Sequence, residues 1–387
     1  MTQPGRGADT AFNQLNSFAD GPPAMARRPK DAGSGTAKGR RRGANARAVR
    51  ISDVAALAKV STATVSRALA APDTVSAATR ERVMSAVRDT GYTPNLAARS
   101  LRVQRTMTVL VVVPWKVTPF FSDLLFYLDR ALGAHGYSAL IGDLNDRAKQ
   151  EPRLVNLVAA GQVDGVILIN GEILSDGARR IDEMGVPIIG LCVPVAPNVP
   201  AVLVDDSGGG RAVAEHLLGL GHRAFGYVSG PAANFNELGR WSGFRDALAA
   251  AGIAEAAVVR YAGSFHVATG AAAARAFLAG DKRPTAVFCA SDMMAVGFIQ
   301  TLHAAGLAVP RDVSVVGFDG IELGAYCTPA LTTVEQPCEA MARVAAAETM
   351  ALVNGGSGAC ERAAATPIAV TLTLRDSTAP PPAGKAT

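Results

Sequence analysis

The 387-residue chain is 49% apolar, enough for one small and two medium-sized domains with cores of their own, which excludes a wholly disordered protein. Its +5 net charge is unevenly divided: residues 1–108 hold 18 Lys/Arg against 7 Asp/Glu, residues 109–387 hold 20 against 26. A basic front on an acidic body fits a polyanion-binding module joined to a separate sensing body, although for the first 50 residues alone a solubilising tail is the favoured reading. Cys192, Cys289, Cys327, Cys338 and Cys360 form no CxxC pair, which argues against a disulfide framework or a zinc site and fits a reducing cytoplasm. No apolar leader opens the chain and no segment approaches the roughly 18 apolar residues of a membrane span, so a soluble cytoplasmic protein is expected.

Residues 1–49 are rich in Gly, Ala, Pro and Arg without a hydrophobic period and are expected to be a disordered basic tail. Its piece "GSGTAKGR" lacks the GK[ST] ending and the preceding strand of a phosphate loop. The arginines between Arg27 and Arg42 add non-specific attraction to phosphate, and Met25 offers an alternative start.

Within "ISDVAALAKVSTATVSRAL" (51–69), Val54, Leu57 and Ala58 share one helical face, Val60-Ser61 interrupts it, and Val65, Ala68 and Leu69 restart it. Two short helices joined tightly follow, with Ser61 placed to cap the second. A third helix, "TRERVMSAVRDT", is capped by Ser76, turns Val83 and Val87 inward and stops at Gly91. Residues 50–94 therefore read as an all-α helix-turn-helix headpiece. Thr62, Ala63, Ser66 and Arg67, at the start of the second helix, form the expected base-reading surface. The Arg67 guanidinium suits guanine O6 and N7, and Ala63 suits a thymine methyl. A merely solvated helical hairpin is the plainer alternative.

"DVAALAKVSTATVSRAL" with "VSAATRERV", "GYTPN" and "AARSL" resembles the lactose-repressor (LacI/GalR) family of bacterial transcription regulators. The likeness runs from about residue 50 to "LTLRDST". Within the family it is greatest to the cytidine-repressor branch, through "ALIGD", "PTAVFCASDMMAVG" and "PALTTVEQP". The resemblance implies that residues 95–107 are a hinge helix and linker, ordered when a dimer sits on its operator. Asn95 would cap that helix, Ala97 and Ala98 would let two copies pack, and Leu101 would wedge into the minor groove. The hinge helix itself, "NLAARSLR" at 95–102, has eight residues, too few for a stable isolated helix. Arg102 departs from the small or differently polar residue that many relatives carry.

From Thr108 onward, apolar runs such as "TVLVVV", "GVILIN", "AVFCASD" and "VSVVGFD" alternate with amphipathic stretches, the pattern of an α/β doubly wound body over residues 108–378, with 379–387 a disordered end. The resemblance implies two lobes of parallel sheet, like a periplasmic binding protein, with a small effector in the cleft. Loops at strand C-terminal ends offer Phe120, Phe121, Arg240, Trp241, Ser291, Phe318 and Asp319, with Asp292 beside them. Aromatic faces next to an arginine and an aspartate suit a sugar or a nucleoside. The resemblance assigns effector binding to Arg240 and Asp319 and tips the ligand toward a pyrimidine nucleoside such as cytidine over a hexose. Each residue also has a plainer role, as surface ion pair, loop cap or core.

Two other function classes fit less well. The Gly-rich "DDSGGGRAVAEHLL" lacks GxGxxG spacing, and His135, His216, His222, His266 and His303 show neither metal-ligand spacing nor a partnered nucleophile, so no enzyme activity, metal or cofactor is expected. His222 in "GLGHRAFGYV" is expected at a helix-to-strand turn. An exported solute-binding protein would need a leader and has no use for the headpiece. The expected partners are a palindromic double-stranded operator, a small effector and a second copy of the chain, coupled by reciprocal linkage. No heptad repeat follows residue 377 to build a tetramer coil.

Overall fold

The computed structural model describes residues 49–92, 105–114, 118–355 and 367–382. The chain divides into two compact units, one ending at Thr93 and the other beginning at Pro94.

The first unit packs α1 (Ile51–Ala58), α2 (Thr62–Ala70) and α3 (Ala77–Thr90) around Val54, Ala55, Ala58, Val65, Ala68, Val83 and Ala86. The caps are local and specific. Ser61 Oγ accepts from Thr64 N at 3.1 Å, Ser76 Oγ accepts from Thr79 N at 3.4 Å, and Gly91 ends α3 at φ 65°. Each such cap is worth about 1 kcal/mol. One expected core residue is corrected. Leu57 is 52% exposed and Ala55 is buried instead, because the buried arc of α1 runs from Val54 through Ala58 to Ala55 and leaves position 57 beyond its edge.

The second unit has two lobes. In the N-terminal lobe, β1 (Thr108–Val113), β2 (Ser138–Asp143), β3 (Gly165–Leu168), β4 (Ile188–Leu191) and β5 (Ala201–Val202) form a parallel sheet of order β2-β1-β3-β4-β5. Along β1, Val109, Val111 and Val113 enter one core while Leu110 and Val112 enter another, so both faces of the sheet are covered. The helices here are α4 (Pro119–Ala134) and α5 (Arg147–Ala159).

The C-terminal lobe holds β6 (Phe225–Val228), β7 (Val259–Tyr261), β8 (Ala286–Cys289), β9 (Ser314–Asp319), β10 (Thr332–Glu335) and β11 (Thr371–Thr373), ordered β11-β10-β9-β8-β6-β7. Only β11 runs antiparallel to its neighbour. Its helices are α6 (Asp206–Gly219), α7 (Phe235–Ala250), α8 (Val267–Ala279), α9 (Asp292–Ala304) and the short α10 (Glu322–Tyr326). A last helix, α11 (Cys338–Val353), returns to the first lobe, where Met341, Ala342, Ala345 and Met350 join the core of Val109 and Ile167. The chain thus crosses between lobes three times, and two of the crossings are tied by a bridge between Val204 and Ile368.

The Gly-rich stretch at the start of α6 serves packing. A Cβ on Gly210 would come 2.1 Å from the Arg240 carbonyl oxygen, and one on Gly243 would come 1.8 Å from that of Ser207, so glycine lets α6 and α7 touch backbone to backbone.

The expected disorder after residue 378 is corrected for residues 379–382. Ala379 N donates to Ser314 Oγ at 3.0 Å, and the Ala379 carbonyl lies 2.9 Å from His222 Nε2. His222 does lie between α6 and β6, fully buried, where burial holds its pKa below the ordinary imidazole value despite the opposing pull of that carbonyl.

Candidate functional site

In the first unit, Thr62, Ala63 and Arg67 are exposed on α2 and Ser66 is half-buried. Thr62 with Ser66, and Ala63 with Arg67, are i, i+4 pairs, so the four make one continuous patch beginning at the helix N-terminus. The predicted hinge residues Asn95, Ala98 and Leu101 lie outside the described residues.

In the second unit, the strand ends of both lobes enclose a cavity of about 240 Å³. Phe120, Phe121 and Asn170 border it from the N-terminal lobe, and Asn236, Arg240 and Phe265 from the C-terminal lobe. Phe120 and Phe121 stand with ring centroids 5.2 Å apart at the start of α4.

Arg240 is the electrostatic centre of this wall. Its Nε donates to Asp206 Oδ1 at 2.8 Å, and its Nη1 donates to the Ala290 carbonyl at 2.6 Å and to Asp319 Oδ1 at 3.3 Å. The guanidinium lies over Phe318, with Cζ 3.8 Å from the ring centroid. These partners fix the plane of the group although it is 95% buried. Gln336 Nε2 donates to the same Asp319 oxygen at 2.9 Å. Burial pushes the Asp319 carboxyl up to about 6, against the opposing pull of Arg240. Deeper still, Asp292 accepts from Thr333 Oγ1 and from Ile321 N, and burial with the nearby charge of Asp319 pushes its carboxyl up to about 8.

Three residues expected on the cavity wall stand behind it. Trp241 follows Arg240 by one helical position, about 100° round α7, and packs instead on Tyr227 at 4.8 Å beneath the Arg260 guanidinium at 4.1 Å. Ser291 is buried and caps α9, its Oγ accepting from Met294 N. Phe318 is fully buried as the platform under Arg240. Conversely, most of the wall was not anticipated, the polar or aromatic Asn170, Asn236, Phe265 and Gln336 included. Asn236 had a signal, because it precedes Arg240 by four positions and shares its helical face. Phe265 had none. Its backbone is left-handed, φ 64°, and its ring lies where a Cβ on Gly230 would be, 2.1 Å from the ring's Cζ.

The chain matches the lacI family of bacterial regulatory proteins over residues 50–95 and the periplasmic binding protein-like domain over residues 214–378. It is 37% identical over 292 residues to the HTH-type transcriptional repressor CytR of Escherichia coli strain K12, covering 75% of this chain and 85% of the relative. The chain belongs to the LacI family of bacterial transcriptional regulators. Among solved structures it is similar to the transcriptional regulator CelR–cellobiose complex (32% identity, TM-score 0.60, 85% of this chain and 99% of that one). It is similar as well to the lac repressor dimer bound to operator and the anti-inducer ONPF (25% identity, TM-score 0.69, 86% and 99%).

Residues 105–107, the first described residues of the second unit, are tied firmly to its N-terminal lobe. Thr106 N, Thr106 Oγ1 and Met107 N all donate to the Asp164 carboxylate at 2.8–2.9 Å. Arg105 Nη1 donates to Asn354 Oδ1 at 2.6 Å and its Nη2 to the Val353 carbonyl at 3.1 Å. Those acceptors end α11, whose other end starts two residues after Gln336 of the cavity wall. At 1.5 Å per residue, α11 is a rod of about 24 Å between the cavity and the point where the chain enters the lobe.

Proposed function

We propose that this regulator is a cytoplasmic repressor that binds a palindromic operator as a dimer, reading bases through Thr62, Ala63, Ser66 and Arg67 and releasing DNA when an effector occupies the interlobe cavity. The observation that carries the effector half is the Arg240–Asp319 pair, buried, pre-oriented and facing aromatic side chains from both lobes. A ribose or pyranose diol can donate to Asp319 and accept from Arg240, while Phe120, Phe121 and Phe265 offer flat apolar faces. The effector of first choice is a pyrimidine nucleoside such as cytidine, supported by the likeness to CytR. A disaccharide is the second reading, favoured by the likeness to a regulator that binds cellobiose. Phe126, Leu323 and Tyr326, large apolar side chains left exposed on α4 and α10, supply apolar surface for a second copy of the chain. Residues 95–107 serve as hinge and linker between the two units, and no catalytic step belongs to the reading.

The test is selection of duplexes from a random pool by the purified chain, followed by anisotropy titration of the enriched site with and without cytidine. A palindromic consensus whose affinity falls when cytidine is added is the expected result. Binding without sequence preference removes the operator reading. Release by cellobiose and not by cytidine moves the effector to the second reading, and conversion of either compound would sink the non-enzymatic one.

A further inference from the structure

Asp292 is a fully buried side chain that the effector reading leaves without a task. It opens α9, but Ser291 already caps that helix, its Oγ accepting from Met294 N at 3.3 Å. The Asp292 carboxylate turns instead to the C-terminal end of β9. Its Oδ2 accepts from Ile321 N at 2.9 Å, and its Oδ1 accepts from Thr333 Oγ1 of β10 at 2.5 Å. The sheet makes room for it: a Cβ on Gly317, inside β9, would come 2.0 Å from Asp292 Oδ1, so glycine at that strand position lets the carboxylate lie against the backbone. The turn that Asp292 holds carries the cavity residue Asp319. Asp319 ends β9 at φ 118°, a left-handed value that a side chain disfavours, and Gly320 follows at φ 74°. A backbone of this kind persists where its surroundings over-determine it. Three contacts do so here. Asp292 holds Ile321 N, Gln336 N donates to the Asp319 carbonyl at 3.3 Å, and the Ile321 side chain, 2% exposed, belongs to the core of the N-terminal lobe.

We infer that Asp292 is a positioning residue for the effector site: by holding Ile321 N it keeps the turn Asp319-Gly320-Ile321 in its strained form and the Asp319 carboxylate at the cavity wall beside Arg240. Contact with the effector belongs to Asp319, and Asp292 acts through it from the layer behind. Because the same turn seats Ile321 in the core of the other lobe, the clamp also ties the effector contact of the C-terminal lobe to the packing of the N-terminal one. The inference rests on the reading of the cavity as the effector site.

Hydrogen exchange of the full chain, read by mass spectrometry on peptides that carry the Ile321 amide, tests the clamp without any effector. Asp292→Ala should speed exchange at that amide by at least about tenfold while amides within β8 keep their protection. Exchange at Ile321 no faster than in the wild type overturns the inference. Calorimetry with cytidine and with cellobiose, well below the melting temperature of each variant, then reads the consequence for the site. Asp292→Ala should weaken whichever compound the wild type binds by about tenfold. Asp292→Asn should recover affinity to within about threefold of wild type, since its amide oxygen still accepts from Ile321 N while its NH2 faces the Thr333 hydroxyl. A residue that serves stability alone would lower the melting temperature of Asp292→Ala and leave affinity unchanged, and that result overturns the positioning role. If Asp292→Ala fails to fold, Thr333→Val, which removes the hydroxyl that orients the carboxylate, takes its place in both measurements, with Thr333→Ser as the rescue. If neither compound binds the wild type, faster exchange at Ile321 upholds the clamp while both effector readings fall.

Discussion

Asn236 joins the two lobes: its Nδ2 donates to the Cys192 carbonyl of the N-terminal lobe at 2.9 Å and to Asp206 Oδ2 of its own lobe at 2.9 Å. Cys192 has a left-handed backbone, φ 70°, directly after β4, and its carbonyl is the acceptor of this bond. Because the donor sits one turn before Arg240 on the same helical face, this interlobe contact and the proposed effector-orienting group belong to one helix. Asn236→Ala should weaken effector binding by about 1 kcal/mol, roughly fivefold, the net worth of one such bond. Calorimetry on the isolated protein checks the number; an unchanged affinity would show that the bridge does not contribute to the bound state.

Arg67 is exposed on the face of α2 that begins at its N-terminus. Its replacement by Ala should cost about 1–3 kcal/mol at the selected operator and relax base preference at one position in each half-site. Anisotropy against single-base variants of the site separates this from loss of a phosphate contact, which would weaken every sequence alike and lower the salt slope.

With the Asp319 carboxyl pushed by burial to about 6, the proposed contact predicts effector binding that depends on pH within a defined window. The folded value exceeds the ordinary carboxylate value of 3.8. The folded state therefore binds the extra proton between those two pH values, and this group's contribution to stability falls as pH rises through that interval. Effector affinity runs the other way, because the ionised form is the better acceptor for a ligand hydroxyl. Affinity should be full above about pH 7 and fall below about pH 6, while Asp319→Asn should be weak throughout and flat from pH 5 to 8. A wild-type profile that does not change across pH 6 would remove Asp319 from ligand contact.

Asp164 and Arg105 fasten the first described residues of the effector-binding unit to the N-terminal lobe, and Arg105 reaches the end of α11. Asp164→Ala removes an acceptor shared by three donors, so it should lower the melting temperature. Arg105→Ala should leave folding and effector affinity within about twofold of wild type but reduce the effector-induced loss of operator affinity. Comparing operator affinity with and without saturating effector in each variant measures that coupling directly. Full coupling in Arg105→Ala would show that the rod carries no signal.

The local features of this protein were legible from its sequence because they depend on neighbours within one helical turn. Ser61, Ser76 and Gly91 mark helix ends through contacts three or four residues away, and the two-residue alternation of "TVLVVV" serves two cores whichever sheet receives it. Arg240 and Asp319 were found as chemistry at strand and helix ends, yet their engagement with each other and with Asp206 joins segments that tertiary folding brings together. Trp241 and Phe318 were misplaced because adjacent residues in a helix or a strand point in different directions, so when Arg240 and Asp319 face the cleft their neighbours turn into the core. Residue type alone could not locate Phe265, whose ring reaches the cavity only through a left-handed backbone over a glycine 35 positions earlier, Gly230. The ordered tail at Ala379 depends likewise on a buried histidine 157 positions away, a partner no local pattern specifies. Caps and strand alternation repeat within a few residues and so can be read from the chain. The cavity wall is set by which loops the two sheets bring face to face, and that follows from packing over the whole unit.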